Sequence, residues 1–153
     1  MSEEKKNGRL KLIVDSKSLT LKIHSSPVEE FNNALRAFVN DLAKVMLEKN
    51  GAGISAIQVG VPINLFLMEE TETNNIIPIV NPEIISKEKI VKSYAEGCLS
   101  VPEKRLDVKR YKRIKVRYQD LDGNVHERKL ANRESFIFQH ELDHLKGILF
   151  TDK

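Results

Sequence analysis

The spacing of apolar residues in the first third of the chain predicts a long amphipathic helix. Between Pro27 and Asn50 these residues recur mostly three or four positions apart, as the buried face of a helix requires: Phe31, Leu35, Phe38, Leu42, Val45 and Met46. Ser26 stands where an N-cap belongs, and Pro27 suits the first helical position. Because Asn50-Gly51 is a typical helix stop, we predict a core-packing helix from Pro27 to Asn50.

The middle of the chain predicts a set of short strands. Four segments rich in Ile and Val are punctuated by prolines: Ile63–Met68, Ile76–Val80, Glu83–Ser86 and Ile90–Tyr94. Arg113–Asp120 alternates apolar and basic residues, which is typical of a half-buried strand. Asp122-Gly123 then predicts a hairpin turn, with Asn124–Leu130 as the return strand. Leu10–Val14 and Leu19–Ile23 fit either short strands or extended arms.

A second helix is predicted over Arg133–Lys146, with Asn132 at its N-cap and Gly147 just past its end. Apolar residues occupy two of its sides and leave only a narrow polar stripe: Ser135, Gln139, Asp143 and Lys146. A helix that is apolar on two sides is buried on two sides. His140 and His144 share one of those sides, so we expect both imidazoles to point into the protein.

Length and composition indicate one domain over residues 1–153, because this length suffices for one core and not for two. The net charge of +3 is small, and acids and bases are mixed along the chain, which argues against direct nucleic-acid binding. Residues 1–10 are polar and charged, and we expect them to be flexible. With no signal sequence, no apolar span and the single cysteine Cys98, we expect a cytoplasmic protein, or an organellar matrix protein whose transit peptide has been removed.

The strongest chemical signal is the H-E-x-x-H segment from His140 to His144. Residues four apart on a helix are stacked neighbours, so both imidazoles can reach one metal ion. Glu141 lies beside them and is close enough to exchange a proton with water at that ion. The pattern also occurs in helices that bind nothing. Two adjacent histidines on a buried face nevertheless need polar partners, and a metal ion serves both.

Cys98 is the candidate for a third ligand. A catalytic metal site takes three protein ligands and keeps a position open for the reaction. A cysteine that binds metal is a thiolate, and the set of one sulfur and two nitrogens suits iron(II), zinc, nickel or cobalt. A lone free cysteine is more commonly a small buried apolar residue, so Cys98 by itself does not define a site.

A glycine-rich segment, Gly51–Gln58, follows the first helix. Its two glycines and small residues allow a substrate backbone to lie against the chain, and Gln58 offers an amide N–H to a developing oxyanion. No Lys-Ser or Lys-Thr pair follows at the spacing of a phosphate loop. The same residues also fit a helix stop followed by a tight turn, with Gln58 on the surface.

Together, the three segments resemble the three motifs of peptide deformylases, in the same order along the chain. The family patterns G-φ-G-φ-A-A-x-Q, E-G-C-L-S and H-E-x-D-H correspond to three segments here: Gly51–Gln58, Glu96–Ser100 and His140–His144. The resemblance spans most of the chain from about Pro27 onward and includes three further stretches: Pro27–Phe31, Pro102–Arg105 and Leu145–Asp152. Three motifs in the right order are far more specific than any one of them.

The resemblance implies an α+β fold in which short antiparallel or mixed β-sheets pack around a central metal-binding helix, with a second long helix nearer the N-terminus. It implies hydrolysis of the N-formyl group from the N-terminal formyl-methionine of newly made polypeptides, which releases formate. Family members use Fe²⁺ natively and often work with nickel, cobalt or zinc. The implied partners are N-formylmethionyl nascent peptides. We expect only transient ribosome proximity, because the sequence ends at Lys153 without the C-terminal docking helix of many bacterial members.

The resemblance also implies roles for single residues. Three of them match the metal ligands of the family: Cys98, His140 and His144. Glu141 matches the general base and acid, while the Gln58 side chain and the Leu99 backbone N–H match the oxyanion donors. Four match substrate-binding positions: Ala52, Gly53, Gly97 and Arg105. The first three of these would hold the peptide by strand addition, and Arg105 would lie near the mouth of the site.

The sequence departs from the family pattern at several places. Ser55 and Ile57 stand where the family usually has Ala and Pro or another small residue. Arg133, seven residues before His140, stands where the family usually has an apolar wall of the methionine pocket. It would either swing outward or narrow and polarise that pocket. The early P-D-P-x-L-R-like stretch of the family is hard to find in Asp15–Leu21.

Three other functions fit parts of the sequence. A small zinc peptidase would also use H-E-x-x-H, but its third ligand would normally be His, Glu or Asp rather than Cys98. A catalytically silent relative would bind N-terminal peptides, yet no functional residue is missing. A structural metal site is usually closed by four protein ligands, and this sequence offers three. His24 and His126 lie outside the motifs, and we expect them at the surface.

Overall fold

The strand-forming residues of the middle of the chain build one antiparallel sheet of five strands, which pair in chain order. The computed structural model describes residues 10–153. Its helices and strands are α1 (Asn33–Glu48), β1 (Gly53–Ser55), β2 (Leu65–Glu69), β3 (Ile76–Cys98), β4 (Val101–Gln119), β5 (Val125–Ala131) and α2 (Arg133–Leu145). Short 3₁₀ turns cover Thr20–Lys22, Ala56–Val59 and Phe150–Asp152. The α+β class is confirmed. The expectation for residues 1–10 lies outside the described residues except for Leu10, which packs in the core.

Two strands are much longer than the sequence predicts. Three of the predicted short strands are parts of β3, which has 23 residues and pairs along its length with the 19 residues of β4. The β3–β4 pairing shifts register at four places, and one of these shifts spans Pro82. Bulges of this kind let a strand bend and continue past a residue that has no N–H to donate. The prolines therefore mark irregularities within one strand rather than strand ends.

The first helix begins later than predicted. It starts at Asn33, where the side chain of Asn32 accepts a hydrogen bond of 3.0 Å from the Leu35 backbone N–H. Asn32 is thus the N-cap, and the prediction of a helix from Pro27 capped by Ser26 is wrong. The helix ends as expected, at Glu48, before Asn50 adopts a positive φ of 55°.

The segment before α1 is held extended by contacts with distant parts of the chain. The Asn81 side chain accepts from the Val28 backbone N–H at 2.8 Å and donates to the Val28 carbonyl at 2.9 Å. Ser26 forms an isolated parallel bridge with Ile63, the only parallel pairing among the described residues. These non-local hydrogen bonds outweigh the local helix signal around Pro27.

The second helix matches its prediction in extent, but its polar stripe has an unexpected role. Gln139 is buried and forms two hydrogen bonds with the backbone of Tyr111, accepting from its N–H at 2.9 Å and donating to its carbonyl at 2.8 Å. Ser135 donates to the same carbonyl at 2.7 Å. The stripe therefore fixes α2 to β4. Asn132 occupies the N-cap position with a φ of 55°, and its side chain forms no capping hydrogen bond.

The sheet lies between the two helices. Alternate residues of β2 face opposite sides, as a pleated strand requires. Leu65 and Leu67 pack in the cluster that contains the buried face of α1. Phe66 and Met68 pack in the cluster that contains Phe138 of α2, and the Phe66 and Phe138 rings meet edge to face with centroids 5.1 Å apart. On its side of the sheet, α2 contacts four of the five strands, β1, β2, β4 and β5. Neither described helix is long and apolar enough to span a membrane.

Candidate metal centre and active-site cavity

Three potential metal ligands meet between the end of β3 and the middle of α2. Cys98 is the last residue of β3, and His140 and His144 lie one helical turn apart on α2. One donor atom of each lies within 4.8 Å of the others, and Cys98 Sγ is 3.5 Å from His144 Nε2. All three side chains are buried. The structure therefore brings together the three residues predicted to bind a metal ion.

The chemistry of this cluster fits a divalent metal ion. Nδ1 of His140 lies 3.1 Å from Glu96 Oε1, which leaves the other ring nitrogen free to face the cluster. Burial lowers the pKa of His144, with the charges of His140 and Arg110 acting in the same direction, so its ring is in the neutral form that binds metals. Burial acts to lower the pKa of His140 too, but hydrogen bonds with Cys98 and Glu96 raise it to about 10. The same negative groups favour a metal cation here.

A buried ion-pair network contacts this cluster through Glu96, the partner of His140. The Arg110 guanidinium, 3% exposed, donates two hydrogen bonds to Glu96, of 3.0 and 2.9 Å, and one of 2.7 Å to Asp143. Burial acts to raise the pKa of Glu96, but hydrogen bonds from His140 and Arg110 outweigh it and lower the value to about 2. Glu96 therefore stays ionised and orients the His140 ring. Sequence reasoning assigned no role to Arg110, Asp143 or the Glu96 carboxylate, although the last two lie within the motifs.

Glu141 lies beside the ligand cluster in a closely fitted position. Its Oε1 accepts a hydrogen bond of 2.8 Å from the Ser55 hydroxyl. Its Oε2 lies where a side chain on Gly53 would clash, because a Cβ there would be 2.7 Å away. Burial raises the pKa of Glu141, although His140 and Ser55 act to lower it. A carboxylate with a raised pKa holds a proton more tightly than an exposed carboxylate, which suits a group that takes up a proton and later releases it.

Gln58 is 1% exposed, which excludes the alternative that it lies on the surface. Its Oε1 accepts from the Ser55 backbone N–H at 2.9 Å, and this contact fixes the orientation of the amide. Its Nε2 donates to the Ser100 hydroxyl at 3.0 Å and lies 3.9 Å from Cys98 Sγ. The amide N–H groups of Gln58 therefore point toward the metal ligands.

Two members of the cluster, Cys98 and His140, line a cavity of about 920 Å³, while His144 is fully buried and does not line it. All the residues predicted to bind substrate or the oxyanion line it: Gln58, Leu99, Ala52, Gly53, Gly97 and Arg105. The Arg105 guanidinium packs over Gly97, where a Cβ would be 2.6 Å from Nη1. His24 and His126 are exposed, as predicted, and neither lines the cavity.

Arg133 lies at the rim of this cavity. Its side chain is 52% exposed and forms an ion pair of 3.5 Å with Glu69 of β2. It also lines the cavity together with Phe136 and Ile137, the next residues of α2 to do so. The side chain therefore reaches outward and also lines the cavity, and its effect on the methionine pocket stays a prediction.

Comparisons with known proteins agree with this site. The model of the family described as polypeptide deformylase matches residues 10–153. A peptide deformylase of Wolinella succinogenes is 43% identical over 139 residues, which cover 87% of this chain and 81% of the relative. The crystal structure of peptide deformylase from Thermotoga maritima superposes with a TM-score of 0.87 at 34% identity, covering 93% of this chain and 95% of that one.

A further structural neighbour was solved with a peptide. It is a class I type b peptide deformylase from Acinetobacter baumannii bound to Met-Ala-Ser, with a TM-score of 0.85, 32% identity, and coverage of 92% of this chain and 95% of that one. The family model, the relatives and the solved structures all indicate the same family, over nearly the whole length that the structure describes. The chain therefore belongs to the peptide deformylase family, the metal-dependent hydrolases that remove the N-formyl group from newly made polypeptides.

Proposed function

We propose that this chain deformylates N-formylmethionyl peptides with Glu141 as the residue that moves protons and Gln58 as an oxyanion donor. The observation that carries this proposal is that both side chains line one cavity together with Cys98 and His140, two of the three clustered donor residues. A zinc peptidase with a different third ligand does not account for Cys98 in that cluster.

The metal ligands are Cys98, His140 and His144. When bound there, a divalent metal ion acts as a Lewis acid that polarises the formyl group and lowers the pKa of water. We propose iron(II) in the cell, with zinc, nickel or cobalt as alternatives in purified protein. The ligand set of one thiolate and two imidazoles is compatible with each of them.

Glu141 performs the two proton transfers of the reaction. Its carboxylate accepts a proton from the attacking water, whose oxygen forms a bond to the formyl carbon. It then donates that proton to the departing amine nitrogen as the C–N bond breaks, which yields formate and a free amino terminus. The hydrogen bond of 2.8 Å from Ser55 to Oε1 holds the carboxylate in place, so Oε2 remains available for the proton.

The negative charge that develops on the formyl oxygen is stabilised by donors that are already oriented. The Nε2 group of Gln58 is one, because the Ser55 N–H holds the amide in a fixed direction. The Leu99 backbone N–H, at the tip of the β3–β4 hairpin, is the second.

The peptide binds in the cavity as an added strand. The backbones of Ala52, Gly53 and Gly97 line the cavity and supply pairing groups, while the Arg105 guanidinium covers Gly97 at the mouth. The walls formed by Phe136 and Ile137 receive the methionine side chain. Because the substrates are nascent chains, we place the enzyme in transient proximity to the ribosome, in the cytoplasm or an organellar matrix.

The test is to purify the protein anaerobically, measure bound metal, and assay formate release from a formyl-methionyl peptide. Glu141→Gln should keep the metal and lose turnover by about 10²–10⁴-fold, the usual contribution of general acid–base catalysis. Glu134→Gln, on the same helix but not in the cavity wall, is the matched control and should keep both. Unchanged turnover in Glu141→Gln contradicts the role of Glu141, and absence of both metal and formate contradicts the proposal as a whole.

A further inference from the structure

The rim of the active-site cavity is basic, and we infer that it selects formyl peptides with acidic side chains in the residues after methionine. This inference rests on the proposed function and adds a substrate preference to it. Five basic residues line the cavity: Lys49, Lys92, Lys104, Arg105 and Arg133. Only two acidic residues do so, the partly buried Glu96 and the buried Glu141.

The rim charges are not neutralised by neighbouring acids. Within the described residues, Arg133 pairs with Glu69, while the other four form no ion pair. Glu96 is already paired with Arg110. A peptide entering the cavity therefore meets cations that are free to bind it.

These cations lie on opposite sides of the entrance. Lys49 follows α1, next to the glycine-rich segment, and Lys92 and Lys104 lie on β3 and β4. All three are exposed. Charges of one sign around a cleft with low-dielectric walls focus the field into it and raise the local concentration of oppositely charged ligands. An acidic substrate between the two sides would be attracted by the lysines on both.

One pair of lysines close to the rim destabilises the sheet by charge repulsion. Lys92 stands directly opposite Lys109 in the β3–β4 register, and neither forms an ion pair with a described residue. Like charges in directly opposite positions destabilise an antiparallel sheet. An anionic group bound over Lys92 would relieve this repulsion. Tyr94, 74% exposed and with its ring 5.7 Å from the Lys92 ammonium, adds an apolar platform beside it.

The length of β3 indicates which peptide positions reach these lysines. Gly97, which would pair with the peptide near the formyl group, is five residues from Lys92 along the strand. Five extended residues span about 16 Å, so an extended peptide reaches Lys92 at about its third to fifth residue. Carboxylates at these positions are the groups that the rim would bind.

The experiment compares three amidated peptides on the metal-loaded enzyme: formyl-Met-Ala-Glu-Glu-Ala, formyl-Met-Ala-Gln-Gln-Ala and formyl-Met-Ala-Lys-Lys-Ala. Amidation removes the terminal carboxylate, so only the side chains differ in charge. We expect kcat/KM for the Glu-Glu peptide to exceed that for the Lys-Lys peptide by about tenfold at low ionic strength. In about 0.5 M sodium chloride, where the screening length is only about 4 Å, the ratio should approach one.

Variants identify the residues responsible. In the double variant Lys92→Gln/Lys104→Gln, the ratio of Glu-Glu to Lys-Lys rates should fall about threefold or more, while the Gln-Gln rate changes by less than about twofold. Lys129→Gln is the matched control, because Lys129 is an exposed lysine of β5 that does not line the cavity. It should leave all three rates as they are.

The outcomes separate the two proposals. Equal rates for the three peptides, or a ratio that the double variant does not change, overturn the acidic preference and leave deformylation standing. Cleavage of none of them overturns both. If a short RNA inhibits all three reactions equally and peptide charge has no effect, the rim is a nucleic-acid surface and the acidic preference is again overturned.

Discussion

At the scale of single residues, the position of Glu141 depends on two small neighbours in the glycine-rich segment. Ser55 donates to one carboxylate oxygen, and Gly53 provides the space that the other occupies. The serine departs from the alanine usual in the family, and here its hydroxyl contacts Glu141, the residue that we propose moves protons. The close approach at Gly53 explains why a glycine is needed there, independently of any backbone torsion.

Gly53→Ala should lower kcat by about tenfold or more while leaving bound metal unchanged. The new Cβ would lie 2.7 Å from Glu141 Oε2, so the carboxylate must move, and small displacements of catalytic groups cost large factors in rate. Steady-state kinetics with metal analysis measures this. Gly51→Ala is the matched control, since its Cβ would approach the movable Leu99 side chain to 2.7 Å and the Gly53 carbonyl oxygen only to an ordinary 3.4 Å, without touching Glu141. Equal losses in the two variants would refute the explanation.

Arg133→Leu should change substrate ranking without changing metal content. The side chain forms one wall of the cavity and carries a charge that is held only by an exposed pair with Glu69. An apolar wall should lower KM for both formyl-methionyl and formyl-norleucyl peptides, and more for the second, whose side chain is fully hydrocarbon. Arg133→Lys keeps the charge and should behave as wild type. If Arg133→Leu ranks and turns over the two substrates as wild type does, the wall role is wrong.

At the scale of elements, the metal ligands are positioned by the junction of β3, β4 and α2. Arg110 of β4 joins Glu96 of β3 to Asp143 of α2, so a single guanidinium fixes the distance between the two elements that carry ligands. Gln139 joins α2 to β4 a second time, through the Tyr111 backbone. On α2, both contacts are made by residues of its polar stripe, Asp143 and Gln139.

Arg110→Met should destabilise the fold by about 3–5 kcal/mol, because it removes the guanidinium that pairs with the largely buried Glu96 carboxylate, whereas Asp143 keeps its ion pair with Lys153. Denaturant unfolding of the metal-free protein measures this change separately from any loss of metal. Arg113→Met is the comparison, since Arg113 pairs with Glu88 on the exposed part of the same hairpin and should matter much less. A small effect at Arg110 would mean that its carboxylates find other partners.

The parts of the site that the sequence predicts are those whose chemistry is local. His140, Glu141 and His144 follow from helical spacing alone, and the motif match adds Cys98 and Gln58. Arg110 could not be predicted, because it lies in a strand of alternating basic residues and is distinguished from its neighbours only by pointing inward. Its inward direction follows the two-residue alternation of β4, in phase with Val108 and Ile114, but the predicted strand began only at Arg113 and the acidic partners lie on β3 and α2.

The contrast between local patterns and non-local contacts also explains the errors in the predicted fold. The helix signal at Pro27 was real but weaker than the hydrogen bonds that Asn81 makes to Val28, from a residue far away in the sequence. The predicted ends of β3 at prolines were wrong because bulges absorb them.

At the scale of the whole molecule, a metal ion held by Cys98, His140 and His144 would join the β3–β4 hairpin to α2, so its removal should lower the thermal midpoint. A ligand present at about 100 times its Kd adds about 2.7 kcal/mol to stability, which corresponds to a shift of several degrees for a chain of this size. Thermal unfolding with and without a chelator measures the shift. Cys98→Ser should make the midpoint much less sensitive to the chelator. A wild-type midpoint that does not move on metal removal would contradict the coupling.

The wide separation of the ligands along the chain has a consequence for folding kinetics. Cys98 and His144 are 46 residues apart in sequence, and they meet only when the hairpin tip has docked beneath α2. The two histidines alone offer an incoming ion only two of the three protein ligands. Tight metal binding must therefore wait for the slow, non-local steps that bring distant segments together. Metal uptake by the refolding chain should therefore track formation of native tertiary contacts rather than formation of the helix, and the rate of maturation is set by topology.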